Sequence, residues 1–174
     1  MNITPKTVPV STFVAVSIIV VFLLYTTSVL KSVPCGKDVL SQFKSNFIHT
    51  NGSHLFANLF SLYTLSRVEV RIGSKAFFTL VSILLVTNTM IETVLHKIKP
   101  DMKCSIGFSG VLFGILVWEA ISRSKLDLYL LAAISLQVVA PSMGDSKISF
   151  VGHAVGAVSG LVIGAVWAKI APEH

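Results

Sequence analysis

The chain has 174 residues and a net charge of +6, with 53% of residues hydrophobic and only 13% charged. A soluble domain carries about 25% charged residues, so the composition excludes an ordinary soluble fold. The Lys and Arg residues are spread singly over the connections rather than gathered on a stripe, which excludes nucleic acid as a partner and fits anchors at lipid headgroups.

Six charge-poor segments alternate with short charged clusters. That is the pattern of an all-α, polytopic membrane protein, read here as a single membrane domain over residues 1–174 with no added soluble domain or seventh span. The first expected span, Ser11 to Leu30, is free of charge. It is too long for a signal-peptide core and no small-x-small cleavage site follows it, so it is expected to stay uncleaved. Lys31 to Asn51 is the longest connection. Within it Val39, Leu40, Phe43, Phe47 and Ile48 recur near helical spacing, which predicts a short amphipathic helix at the membrane interface.

The second span is expected from His54 to about Ser66, with Ser53 as its cap. Arg67 to Lys75 reads as a compact charged turn. The third span follows over 76–95, with Glu92 near its end and expected at the interface. A loop rich in lysine leads to the fourth span, 106–122. The fifth, 128–140, is closed by Pro141, and the sixth runs over 150–170.

Six spans put both termini on one side of the membrane. With the termini inside, the inner segments hold Lys6, Arg67, Arg71, Lys75, Arg123, Lys125 and Lys169. The outer ones hold Lys31, Lys37, Lys44, Lys97, Lys99, Lys103 and Lys147. The positive-inside rule is balanced between them; only the shorter, arginine-denser inner turns lean toward termini inside. The cysteines, Cys35 and Cys104, form no metal motif and fall on one face of the membrane. They are open to two readings, a disulfide if that face is oxidising or two separate thiols.

Polar groups inside the spans carry the functional signal, because hydrocarbon penalises them. His54 and Asn58 are one turn apart on one helix face. Taken alone they are explained by a helix–helix hydrogen bond, worth about 0.6–2 kcal/mol. Glycines at 152, 156, 160 and 164 make a small-xxx-small stripe on the sixth span, beside His153. The fourth span carries a matching pair, Gly110 and Gly114, just below Ser109. Two glycine-faced helices approach closely and bring the serine and the histidine together. The second, fourth and sixth spans run in the same direction, so His54, Ser109 and His153 share a depth.

Ser109 becomes a nucleophile when a base takes its proton, and an imidazole has the pKa for that task. Asn58, His54 and the backbone N–H near Ser109 supply donors for an oxyanion. The nearest acids in sequence, Asp145 and Glu92, are expected to be interfacial, so the arrangement reads as a Ser-His dyad without metal or cofactor.

With these residues in view the chain resembles the rhomboid family of intramembrane serine proteases, over roughly Asn46 to Gly164. His49 with His54-x-x-x-Asn58 resembles its second-helix signature, and Glu69-x-Arg71-x-Gly73 the turn that follows. Gly107-x-Ser109-Gly110 is similar to the nucleophile motif, and His153-x-x-Gly156-x-x-x-Gly160 to the general-base helix. The resemblance implies a six-helix bundle with Ser109 as nucleophile and His153 as base. It implies His54, Asn58 and Ser109 at the oxyanion hole, and His49 shaping a water-filled cavity. It further implies cytosolic termini, a site open to the extracytoplasmic or lumenal side, and single-span membrane proteins as substrates. The family's Trp-Arg pair after the first span is replaced here by Leu40-Ser41, which bears on how that loop is anchored. The loop Pro141 to Ser149 is expected to cover the site and move to admit substrate.

Two other functions compete. A rhomboid-like pseudoprotease would bind membrane clients without cutting them, but such relatives typically lack the serine or the histidine. A small transporter calls for inverted repeats or broken helices, and no such internal symmetry is visible. Oligomeric state and natural substrate stay open at this level.

Overall fold

A computed structural model describes residues 3–30, 38–122 and 150–170. The expected fifth span and the loop Pro141 to Ser149 lie outside the described residues. Those described form helices α1 (Pro9–Thr26), α2 (Val39–Ser45), α3 (Gly52–Ile72), α4 (Ser74–Ile98), α5 (Ser109–Ser122) and α6 (Phe150–Ile170), and no strand. Three of them, α1, α4 and α6, are long and apolar enough to cross a membrane.

Helix α1 opens with Pro9, whose missing N–H is no loss in a first turn. Its hydroxyls stay quiet in an apolar helix by bonding backwards: Thr12 Oγ1 donates to the Val8 carbonyl at 2.8 Å and Ser17 Oγ to that of Phe13 at 2.8 Å. The helix ends at Thr26, before the expected Leu30. Thr27 Oγ1 there ties itself to the Leu23 carbonyl, and Ser28 turns left-handed at φ 62°.

Helix α2 is the expected amphipathic segment, shortened to seven residues. Asp38 caps it, accepting from the Ser41 N–H and hydroxyl, both at 2.8 Å, and these bonds hold its carboxyl below the usual carboxylate range. Val39, Leu40 and Phe43 are exposed while Gln42 and Ser45 are buried. The helix therefore shows its apolar face outward and its polar face to the bundle, the orientation an interfacial helix takes toward lipid.

Two expectations about α3 need correction. Its cap is Asn51, whose Oδ1 accepts from the His54 N–H at 2.8 Å, while Ser53 only donates its hydroxyl to that same oxygen at 2.7 Å. The helix also does not stop near Ser66 but continues through the charged stretch to Ile72. Glu69 and Arg71 are tolerated because each has a partner, and Arg67 is exposed. Glu69, 1% exposed, accepts from the Val10 N–H, the Ser11 N–H and the Ser11 hydroxyl at 2.7–2.9 Å. Arg71 pairs with Glu119 of α5 and lies 5.7 Å from the ring of Trp118. The expected turn shrinks to Gly73, which at φ 82° adopts a conformation that favours glycine.

Because the start of α1 bonds to Glu69, it lies at the end of α3 remote from His54. Fifteen helical residues separate these two positions, about 22 Å. Helix α5 runs through the centre, with Val111, Ile115 and Trp118 fully buried against Phe77, Leu80 and Leu84 of α4. Trp118 also meets Trp167 of α6 edge-on, with ring centroids 5.4 Å apart.

The closest packing joins α5 and α6. A Cβ added at Gly156 would fall on the carbonyl of Gly110, and one at Gly160 on that of Gly114. Backbone touches backbone here, which only the absence of side chains permits. Farther along, a Cβ at Gly164 would stand 3.1 Å from Ile121 Cβ, an overlap that a shift of a few tenths of an ångström relieves. Gly156→Ala is therefore expected to lower stability by about 1–3 kcal/mol or more, and Gly164→Ala by clearly less. Equilibrium denaturation of both variants in detergent micelles measures the difference; equal losses would contradict the backbone contact.

Candidate active site

The segment entering α5 decides where the serine stands. Gly107 takes φ 102°, and its N–H donates to the Ser45 carbonyl of α2 at 2.9 Å. Phe108, 1% exposed, is then driven into the core as an anchor. The chain becomes helical at Ser109, not at the expected position 106. Ser109 thus sits in a first turn, where backbone N–H groups lack helical partners and the dipole is positive.

His153 is the fourth residue of α6 and is 8% exposed. Its Nε2 lies 3.0 Å from Ser109 Oγ, within the range for a hydrogen bond between a nucleophile and its base. Its position follows from the glycine contact below it, since Gly110–Gly156 brings the two first turns together. Nδ1 of His153 has no hydrogen-bond partner among the described residues, so none of the described carboxylates completes a triad there.

Phe113 is a member of this site that sequence reading missed. Its ring stacks at 36° on His153 with centroids 4.4 Å apart, and this fixes the plane of the imidazole. The available signal was an aromatic residue one turn after the serine on the same helix face.

His54 lies across the Gly107 backbone. A Cβ on Gly107 would stand 2.6 Å from His54 Cε1 and 2.7 Å from Nε2. Glycine is therefore required twice over, for its φ and for the imidazole above it. Behind His54 stands His49, fully buried, with ring centroids 4.9 Å apart and Nδ1 3.3 Å from the Phe47 carbonyl. Asn58, also buried, donates from Nδ2 to the His54 carbonyl at 2.9 Å. One amide hydrogen is thus committed to its own helix, leaving the other for a ligand. The structure gathers Ser109, His153, His54, His49, Asn58 and Gly107 at one end of the bundle, with Gly110, Gly156 and Gly160 beneath.

Glu92 is buried within the bundle near the end of α4. It is 3% exposed, because partners on other elements surround its carboxylate. Asp145 lies outside the described residues. Cys104, five residues before Ser109, is disulfide-bonded; the other cysteine, Cys35, lies outside the described residues.

Burial, reinforced by His54, pushes the His49 imidazole from 6.5 down to about 4. The native chain thus keeps this ring neutral at pH values where the unfolded chain protonates it. Stability from this group is intact above pH 6.5 and declines as pH falls toward 4, by at most about 3 kcal/mol. His49→Gln should flatten this acid limb, as measured by denaturation midpoints between pH 7 and 4. A variant with the parent's pH slope would refute the assignment.

Comparison with known proteins adds two findings. The family model described as Rhomboid domain matches residues 37–170. A protein of Acanthamoeba polyphaga mimivirus carrying the rhomboid name is 31% identical over 128 residues, covering 73% of this chain and 74% of that protein.

Proposed function

The chain belongs to the rhomboid family, and we propose that it is an intramembrane serine endopeptidase that cuts transmembrane segments of single-span proteins through a Ser109–His153 dyad. The observation that carries this reading is the 3.0 Å approach of His153 Nε2 to Ser109 Oγ, held by two helices in backbone contact.

In this mechanism His153 Nε2 takes the hydroxyl proton as Ser109 Oγ attacks the scissile carbonyl carbon. The carbonyl oxygen becomes an oxyanion beside the Ser109 N–H, the His54 ring and the free amide hydrogen of Asn58. Collapse of the tetrahedral intermediate breaks the C–N bond, and His153 returns the proton to the departing amine. Water, deprotonated by the same imidazole, then attacks the acyl-serine and frees the carboxylate product. Phe113 keeps the ring in plane throughout, and the neutral His49 buttresses His54.

The site is read as facing the extracytoplasmic or lumenal side, with the termini cytosolic. Two observations support this orientation. The start of α1 and the end of α6 lie away from the dyad, and the disulfide at Cys104 stands on the dyad's side, where an oxidising compartment preserves it. The bilayer supplies the substrates, as single-span helices whose ends unwind at that face.

The decisive measurement is cleavage of a single-span substrate in liposomes. Ser109→Ala and His153→Ala should each abolish cutting while the protein stays folded, and a fluorophosphonate should label Ser109 in the parent only. Asn58→Ala should cost less, on the order of 10²–10³ at most. Undiminished cutting by Ser109→Ala would overturn the proposal. A parent that neither cuts nor labels would instead be the client-binding relative.

A further inference from the structure

Glu92 is a buried carboxylate for which the dyad mechanism has no use. Three elements nevertheless converge on it. Gln42 Nε2 of α2 donates to its Oε2 at 2.6 Å, and both residues are buried. The Ser105 hydroxyl, from the segment entering α5, donates to the same carboxylate. The first turn of α6 closes over the pair: a Cβ at Gly152 would stand 2.7 Å from Ser105 Oγ and 3.4 Å from Glu92 Oε1. Ser105 is four residues before the nucleophile, and Gly152 immediately precedes the base.

Helix α2 reaches the same segment a second time. Gln42 and Ser45 are both on its buried face, and the Ser45 carbonyl receives the Gly107 N–H at 2.9 Å. One face of α2 thus grips the 105–107 turn at two points, one of them through Glu92. We propose that Glu92 is a positioning residue: its carboxylate ties α2, the 105–107 turn and the first turn of α6 together, and so holds Ser109 and His153 in register. The catalytic part of this inference rests on the protease reading above.

The chemistry demands an acceptor. Both partners present hydrogens, and a carboxylate accepts at both oxygens. A leucine there would leave the buried Gln42 amide and the half-buried Ser105 hydroxyl without this acceptor. Glutamine would serve nearly as well. The Gln42 Oε1 has no partner, so a flip of that amide lets it accept from a new side-chain N–H. Rescue by glutamine therefore separates a hydrogen-bonded tie from a need for charge.

The test uses the full chain in detergent micelles, with the variants Glu92→Leu, Glu92→Gln and Ser105→Ala. Two readouts are taken: kcat and KM on a single-span substrate, and hydrogen exchange of the peptide bearing the Gly107 amide. Glu92→Leu should lower kcat roughly 10- to 100-fold, the scale of a small misplacement of reacting groups, with KM changed by less than about threefold. It should also speed exchange at Gly107 while the middle of α4 keeps its protection. Glu92→Gln should recover most of both. Ser105→Ala removes one arm without emptying the site and should move both readouts in the same direction by less, which keeps the test alive should the leucine variant fail to fold. Parent-like exchange at Gly107 in Glu92→Leu and Ser105→Ala would overturn the proposal, as would a glutamine variant no better than the leucine. The exchange readout needs no activity. Failure of the protease reading would show separately, as a parent that neither cleaves nor labels.

Discussion

Everything at the candidate site depends on the contact of α5 and α6 without side chains between them. Inside a bilayer there is little hydrophobic gain in pressing one apolar helix on another, so close approach must come from packing. The carbonyls of Gly110 and Gly114 occupy the space that side chains of residues 156 and 160 would fill. The dyad stands one turn beyond this contact, and its 3.0 Å separation follows from it.

The second constraint is the treatment of charge. The buried glutamates of the described bundle, Glu69, Glu92 and Glu119, arrive with partners from another element. Glu69 receives the first turn of α1, Arg71 and Glu119 join α3 to α5 under Trp118, and Glu92 receives α2 and the 105–107 turn. The first two lie at the end remote from the dyad and the third lies beside it. These groups make up for the missing hydrophobic force between helices by binding specific neighbours, and they fix which helix meets which.

The site combines rigid and adaptable supports. Ser109 is pinned from below by the glycine contact, from behind by the Phe108 anchor and from the side by the Gly107–Ser45 bond. His153 is held by the same contact and by the face of Phe113. The oxyanion side is built differently, from His54 leaning on the bare backbone of Gly107, with the buried His49 and Asn58 behind it.

The sequence by itself determined the class of fold, the order of the described helices and the gathering of Ser109, His153, His54 and Asn58 at one end of the bundle. Hydropathy, the glycine spacing of 152, 156, 160 and 164, and the shared direction of alternate spans are all local or periodic properties. Wherever a group's role depends on a partner distant in the chain, only the tertiary structure decided. Read locally, Arg67 to Lys75 is a charged turn. It is helical because Ser11 and Glu119 meet its charges. Glu92 is one more acid near a helix end until Gln42 and Ser105 are seen to surround it. The cap of α3 is the exception, since Asn51 displaces Ser53 through a contact only three residues long. Phe113 is another apolar residue in an apolar helix until α6 lays His153 across its face. A span's hydrophobicity is additive along the chain, whereas the pairing of a buried polar group is a relation between elements, and one sequence position holds only half of it.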